Sequence, residues 1–210
     1  MFTNYFKTIY RNLRRYKSYT LINIIGMAIG IASMVWGYQM YRYAFSFDNF
    51  QPHPDQVYRA LTYKKDGEGL KGVFPIAAVL PARQQFPAIK AATRYKGRGV
   101  TIRQDTSETF SEQVHFVDPD FVQLFHFPLA EGNNELTDPN TVLLTQKTAK
   151  KYFGSQDPIG KTLTFYAGET YARILTVRGV LQNPPMNSTL KFGMLTPFDN
   201  LLNSNGRPIG

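Results

Sequence analysis

Between Lys17 and Arg42 the chain carries 24 consecutive residues without a charge, Ser18 to Tyr41, and no other feature restricts it so strongly. As a helix rising about 1.5 Å per residue, the apolar centre from Leu21 to Met40 spans roughly 30 Å, the thickness of a bilayer's hydrocarbon core. Trp36, Tyr38, Tyr41 and Tyr43 gather at the far end, as an interfacial aromatic belt does, while Arg14, Arg15 and Lys17 flank the near end. A transmembrane helix over residues 18–41 follows. A cleaved signal peptide would have a shorter apolar stretch followed directly by a small-x-small site. Here the stretch ends in Tyr-Gln-Met-Tyr-Arg, and the small residues around Ala28 to Ala32 lie inside it. The whole-chain mean hydropathy of −0.29 makes the apolar segment local, so the rest is not a polytopic bundle.

Charge orients the span. Lys7, Arg11, Arg14, Arg15 and Lys17 precede it with no acid among them, whereas the 20 residues that follow hold only Arg42 and Arg59. The positive-inside rule then leaves the N-terminus in the cytoplasm and sends the rest across the membrane. The same distribution disposes of nucleic acid as a partner. The net charge of +9 is mostly N-terminal, and no basic stripe with interleaved aromatics appears elsewhere.

Within the span, Asn23, Gly26, Gly30, Ser33 and Gly37 recur at spacings of three and four, laying small and polar residues along one face. Such a stripe admits a second helix at close range, which a lone anchor does not need, although glycine is common in membrane helices generally. Before the span, Phe2, Phe6, Ile9, Leu13 and Tyr16 recur at helical spacing with the basic residues on other faces, the pattern of an amphipathic helix on membrane lipid.

From Phe45 onward the pattern is mixed α+β. Strands are expected at Val57–Tyr63, Ile89–Tyr95, Gln113–Val117, Val142–Leu144 and in a hairpin of Thr162–Tyr166 with Tyr171–Leu181 about Gly168. Short helices are expected at Ile76–Phe86 despite Pro81, at Pro119–Phe125 with Asp118 as N-cap, and from Thr145 through Phe153 to a stop at Gly154.

The motifs of chemistry are missing. Gly154 to Thr162 resembles a phosphate loop, but five residues separate its glycines where four are required, and Pro158 removes a needed N–H. His53, His115 and His126 lack metal-ligand spacing, and with no cysteine there is neither disulfide nor thiolate site. Asp118 and Asp120 flank a proline, which suits capping better than paired acid/base work. Asn187-Ser188-Thr189 matches a glycosylation sequon only weakly. No catalytic, cofactor or metal site is expected.

Several segments resemble MacB/FtsX-type ABC transporter permeases: Arg11-Asn12-Leu13, Tyr19 to Gly30, Ser46 to Phe50, Asp55 to Arg59, Val117 to Phe121, Phe127 to Leu129 and, most specifically, Thr148 to Gly154 with Asp157 to Lys161. Val177 to Leu181, Pro184-Pro185, Asn187-Ser188 and Leu190 to Phe192 continue the series in order. The resemblance implies a cytoplasmic segment at 1–17, a transmembrane helix at 18–45 and a MacB-like periplasmic core domain at 46–210. It implies a permease subunit that couples ATP hydrolysis by a separate cytoplasmic ABC ATPase to periplasmic motion, for export or mechanotransmission. A second permease copy or homologue and a periplasmic partner protein are the further partners implied. Such permeases continue into later membrane helices, usually three, so the chain ending at Gly210 is expected to be an N-terminal fragment. The competing reading is a single-pass anchored periplasmic ligand-binding or sensor module, against which the 17-residue cytoplasmic segment counts.

Overall fold

The uncharged run and the basic segment before it both form helices: α1, Phe2–Arg15, and α2, Lys17–Ala44. The computed structural model describes residues 2–64, 69–71, 73–104, 108–167 and 171–201. Tyr16, at φ −111° and ψ 56°, leaves helical geometry and separates the two helices. No residue of α2 is buried, and the helix is long and apolar enough to cross a membrane. By its internal contacts the chain divides after Phe47 into a helical unit and a second, sheet-rich unit beginning at Asp48.

In the second unit, β1 (Thr62–Lys64) and β2 (Gly69–Lys71) form a small antiparallel hairpin, followed by a 3-10 turn (Ile76–Ala78) and α3 (Val79–Gln85). The main sheet comprises β3 (Tyr95–Gln104), β4 (Glu108–Val117), β5 (Leu129–Gly132), β6 (Thr141–Thr145), β7 (Thr162–Ala167), β8 (Tyr171–Leu181) and β9 (Met194–Pro197). Two short helices, α4 (Phe121–Leu124) and α5 (Gln146–Phe153), lie between strands in sequence. Strand β8 pairs with β7 through Tyr171–Thr176 and with β6 through Thr176–Leu181. The order β8-β6-β9-β4-β3-β7 therefore returns to β8, and six strands make a closed circuit with β5 added beside β8.

Alternation places one set of side chains inside that circuit. Val100 and Ile102 of β3, Val114 and Phe116 of β4, Val142 and Leu144 of β6, Leu163 and Phe165 of β7 and Met194 of β9 share one buried cluster with Tyr152 and Phe153 of α5. The intervening Leu143, Leu195, Val117 and Leu181 point the other way and are covered by Phe121, Phe127, Leu136 and Phe192. In β8 the parity is reset by a bulge: Val142 opposes Val177 but Leu143 opposes Gly179, so Arg178 is extra. Val177 and Val180 consequently both face the interior despite their odd spacing.

The α+β reading holds, with instructive local departures. The helix from Ile76 forms despite Pro81, which sits in the first turn of α3, where its missing N–H would have had no partner. Thr145 caps α5 by accepting from Thr148 N, and Gly154, at φ 62°, ends it. The β7–β8 hairpin is present, while its turn at Gly168 lies outside the described residues. The expected strand at Val57–Tyr63 shrinks to Thr62–Lys64, because only three residues of partner strand oppose it. No strand forms before Tyr95: Ala92 N and Arg94 N donate to the carboxylates of Asp120 (3.2 Å) and Asp118 (2.7 Å) instead of to a ladder. For the same reason Asp118 is not an N-cap, and the helix expected at Pro119–Phe125 contracts to Phe121–Leu124. The body of β3, with Gly97 and Gly99, and the strands β5 and β9 were not expected from the sequence.

Gly179 allows β5 and β8 to meet. A Cβ there would stand 2.1 Å from Asn133 O. We expect Gly179→Ala to lose on the order of 2–4 kcal/mol in denaturant unfolding of the detergent-solubilised chain. Gly99→Ala, whose Cβ meets nothing within 4 Å, serves as the control and should change stability by less than about 1 kcal/mol. Equal losses would mean that the close approach at Gly179 is relieved at little cost.

Candidate functional site

On α2, Asn23, Gly26, Gly30, Ser33 and Gly37 fall within an arc of about 80° at 3.6 residues per turn. A Cβ built on Gly26, Gly30 or Gly37 would meet nothing within 4 Å. Ser33 Oγ donates to Ile29 O at 2.8 Å, turning its polar atom back on its own helix. The glycine positions on this face are therefore open, and Ser33 directs no hydroxyl outward. Arg14 and Arg15 end α1, Lys17 opens α2, and Trp36, Tyr38, Tyr41 and Tyr43 occupy its last turns. All of these residues are exposed. Tyr41 packs its ring 4.6 Å from that of Phe45, and Tyr43 lies 5.2 Å from Phe47.

The second unit fastens its own first residues tightly. Asp48 adopts φ 57°, a left-handed conformation that Asp tolerates better than most side chains. Its N–H donates to Asn187 O at 3.0 Å. Its carboxylate accepts from Thr189 N at 3.0 Å, from Ser188 Oγ at 3.3 Å and from Thr189 Oγ1. Phe50 sets its ring 5.9 Å from Phe127, and Gln51 Oε1 accepts from His126 N at 2.7 Å. The sequon residues Ser188 and Thr189 are thus parts of a clasp, and Ser188 is buried.

From Phe127 a pile of nearly parallel rings leads to the sheet. Phe127 and Phe121 are 6.1 Å apart at 6°, Phe121 and Tyr95 5.8 Å at 13°, and Tyr95 and His115 4.8 Å at 20°. Gly97 leaves room for the last ring: a Cβ there would come within 3.0 Å of His115 Nε2. Burial holds the His115 imidazole pKa below its usual value, and its Nδ1 has no partner among the described residues. Burial likewise pushes the Tyr95 phenol up to about 12, and its hydroxyl donates to Lys191 O at 3.0 Å. Tyr152 is raised too, by burial first and then by the negative charge of Glu112.

A second fastening ties the segment after α3 to the same region. Arg94, over the Phe198 ring at 3.8 Å, meets Asp118 through Nη2 at 2.6 Å and Nε at 3.0 Å, both side chains nearly buried. Arg83 reaches Asp120 at 2.6 Å. The two acids read as capping residues are instead the staples of residues 83–94. His53, His115 and His126 stand on separate elements, and no group of three or more potential ligands for a metal occurs among the described residues. What is assembled is a mechanical attachment, an entry point pinned at Asp48 and braced by rings against β4. Its parts escaped the sequence reading because Asp48 and Thr189 are 141 residues apart; the aromatic density between Phe110 and Phe127 was the one available signal.

The profile of the MacB-like periplasmic core domain matches residues 20–209. Among solved structures, the chain is similar to a domain of a candidate permease protein from Porphyromonas gingivalis, with 28% identity over 62% of this chain and 56% of that one, TM-score 0.49. It is similar to the periplasmic region of MacB from Actinobacillus actinomycetemcomitans, with 18% identity over 63% and 61%, TM-score 0.46. The extracellular domain of the noncanonic ABC-type transporter YknZ from Gram-positive bacteria gives 21% identity over 57% and 60%, TM-score 0.43. The chain spans less than two thirds of each of these. No curated protein matches it.

Removing the clasp should separate its two contributions. Asp48→Ala is expected to cost about 2–3 kcal/mol, from lost charge-assisted hydrogen bonds and from an alanine held at positive φ. Asp48→Gly should cost about 1 kcal/mol less, since glycine relieves the backbone term; identical losses in denaturant titrations would show that the backbone carries no strain. For His115 the folded pKa lies below the ordinary value of about 6.5, so the unfolded chain takes up the proton first. Stability is therefore full above about pH 6.5 and declines as pH falls towards the folded pKa. In unfolding titrations from pH 7.5 to about pH 5, His115→Gln should decline less steeply than the parent; parallel curves would remove His115 from the pH response.

Proposed function

We infer what this chain does from the family to which it belongs, that of the MacB-like periplasmic core domain. The match takes in the apolar helix and the closed sheet together, and that continuity carries the reading. The chain is the first membrane helix and periplasmic portion of an ABC transporter permease. Residues 1–17 lie in the cytoplasm, 18–45 cross the inner membrane, and 46–210 form the periplasmic module. ATP is hydrolysed by a separate cytoplasmic ATPase, and α2 conveys the resulting motion outward, for export or for switching a periplasmic partner.

Three observations support this assignment. The five basic residues before the span favour a cytoplasmic N-terminus. The open Gly26, Gly30 and Gly37 face suits close packing against another permease helix, from the same subunit or a second copy. The module beyond Phe47 begins in a clasp rather than a slack linker, so displacement of Asp48 acts on the 187–189 loop and on the rings leading to β4.

The test is an affinity purification of the intact permease from detergent-solubilised membranes. A P-loop ATPase should co-purify, and Gly26→Leu or Gly30→Leu should lower its ATP hydrolysis several-fold without loss of the complex. Recovery of the permease free of any ATPase would sink the transporter reading in favour of an anchored ligand-binding or sensor module.

A further inference from the structure

We propose that α1 is an anionic-lipid docking helix, lying along the headgroup surface of the membrane that α2 crosses; this rests on the reading of α2 as a membrane span. Around α1, Lys7, Arg11, Arg14 and Arg15 fall within an arc of about 100°, and Tyr5, Ile9 and Leu13 lie diametrically opposite. All seven side chains are exposed. Each face therefore needs something outside this helical unit, and the two need different things.

The charge has no internal answer. Residues 1–47 carry Lys7, Arg11, Arg14, Arg15, Lys17 and Arg42, and the first acid in the chain is Asp48. No ion pair can form within this helical unit, so the counter-charge comes from elsewhere. Position identifies the source. A single residue, Tyr16, separates α1 from α2, so a spanning α2 holds the end of α1 at headgroup depth. A helix of 14 residues, about 21 Å long, then meets both of its requirements in one place. Ile9 and Leu13 enter the acyl boundary, and the arginines reach back to lipid phosphates. An acidic protein surface would cover the basic face and leave the apolar one in water.

Each Lys or Arg near an anionic surface strengthens association about fivefold, and salt weakens the effect. Docking should therefore depend on lipid charge, which insertion of α2 does not.

The chain contains no cysteine, so single labels can be placed cleanly. Ile9→Cys and Ser33→Cys variants of the full chain, carrying an environment-sensitive fluorophore, are reconstituted in vesicles of phosphatidylcholine alone or mixed equally with phosphatidylglycerol. Quenching by brominated acyl chains reports depth. The Ser33→Cys label should be quenched in both. The Ile9→Cys label should be quenched several-fold more in the anionic vesicles, and adding Arg14→Glu and Arg15→Glu or high salt should abolish the difference. An Ile9→Cys signal that ignores lipid charge while the Ser33→Cys label is quenched overturns the docking proposal. Quenching of the Ile9→Cys label only when an ATPase is reconstituted alongside overturns it in favour of a protein partner. An unquenched Ser33→Cys label overturns the membrane span itself.

Discussion

Strand β8 has to serve three partners, and the architecture of the second unit follows from how it does so. Its first half pairs with β7 and its second half with β6, with β5 alongside. Its 11 residues reach both ends of the circuit, and the bulge at Arg178 keeps Val177 and Val180 pointing inward over that length. A register shifted by one would put Val180 outside and Leu181 inside, exchanging the two clusters that the strand separates. Closing the circuit also leaves few free edges at which another chain could pair with the sheet.

Against this closed frame the entry of the chain is pinned rather than packed. Hydrogen bonds to the Asp48 carboxylate are directional and charge-assisted, so they resist displacement in particular directions, as apolar contacts do not. The ring pile from Phe50 to His115 then spreads any displacement over close-packed surfaces of low compressibility. The nearly buried Arg94–Asp118 pair limits how far the segment after α3 can follow. Removing either partner leaves an uncompensated charge, at a cost of roughly 3–5 kcal/mol. The combination is a fixed grip at Asp48 joined to a stiff path of packed rings.

What was legible from sequence was whatever local rules decide. The helix of residues 17–44, the cap at Thr145, the stop at Gly154 and the wholly buried β6 each rest on a few neighbouring residues. What was not legible depended on partners far away. Asp118 and Pro119 satisfy the local signature of a helix start, yet Arg94, 24 positions earlier, takes the carboxylate, and the helix loses its cap. The strand expected at Ile89–Tyr95 is lost to the same acids, which take the Ala92 and Arg94 N–H groups. In β3, Gly97 and Gly99 disguise a ten-residue strand; the space beside Gly97 is taken by Gln113 and His115 of β4, while a Cβ on Gly99 would meet nothing within 4 Å. The clasp at Asp48 carries no local signal, its partners being about 140 positions on.

The arginines make the contrast between the two units concrete. Beyond Phe47 the chain has eighteen basic and fifteen acidic residues, and it uses them on each other: Arg94 with Asp118, Arg83 with Asp120, Lys151 with Glu112. There, a guanidinium is a staple whose partner is part of the fold, and its worth is set by burial. Before Asp48 the same side chain has no acid to meet, so its energy depends on the surface beside it and on the ionic strength. One unit therefore contains ion pairs whose partners folding supplies. The other becomes fully satisfied only at an interface, which makes the first 17 residues a reporter of where the chain is rather than of how it is folded.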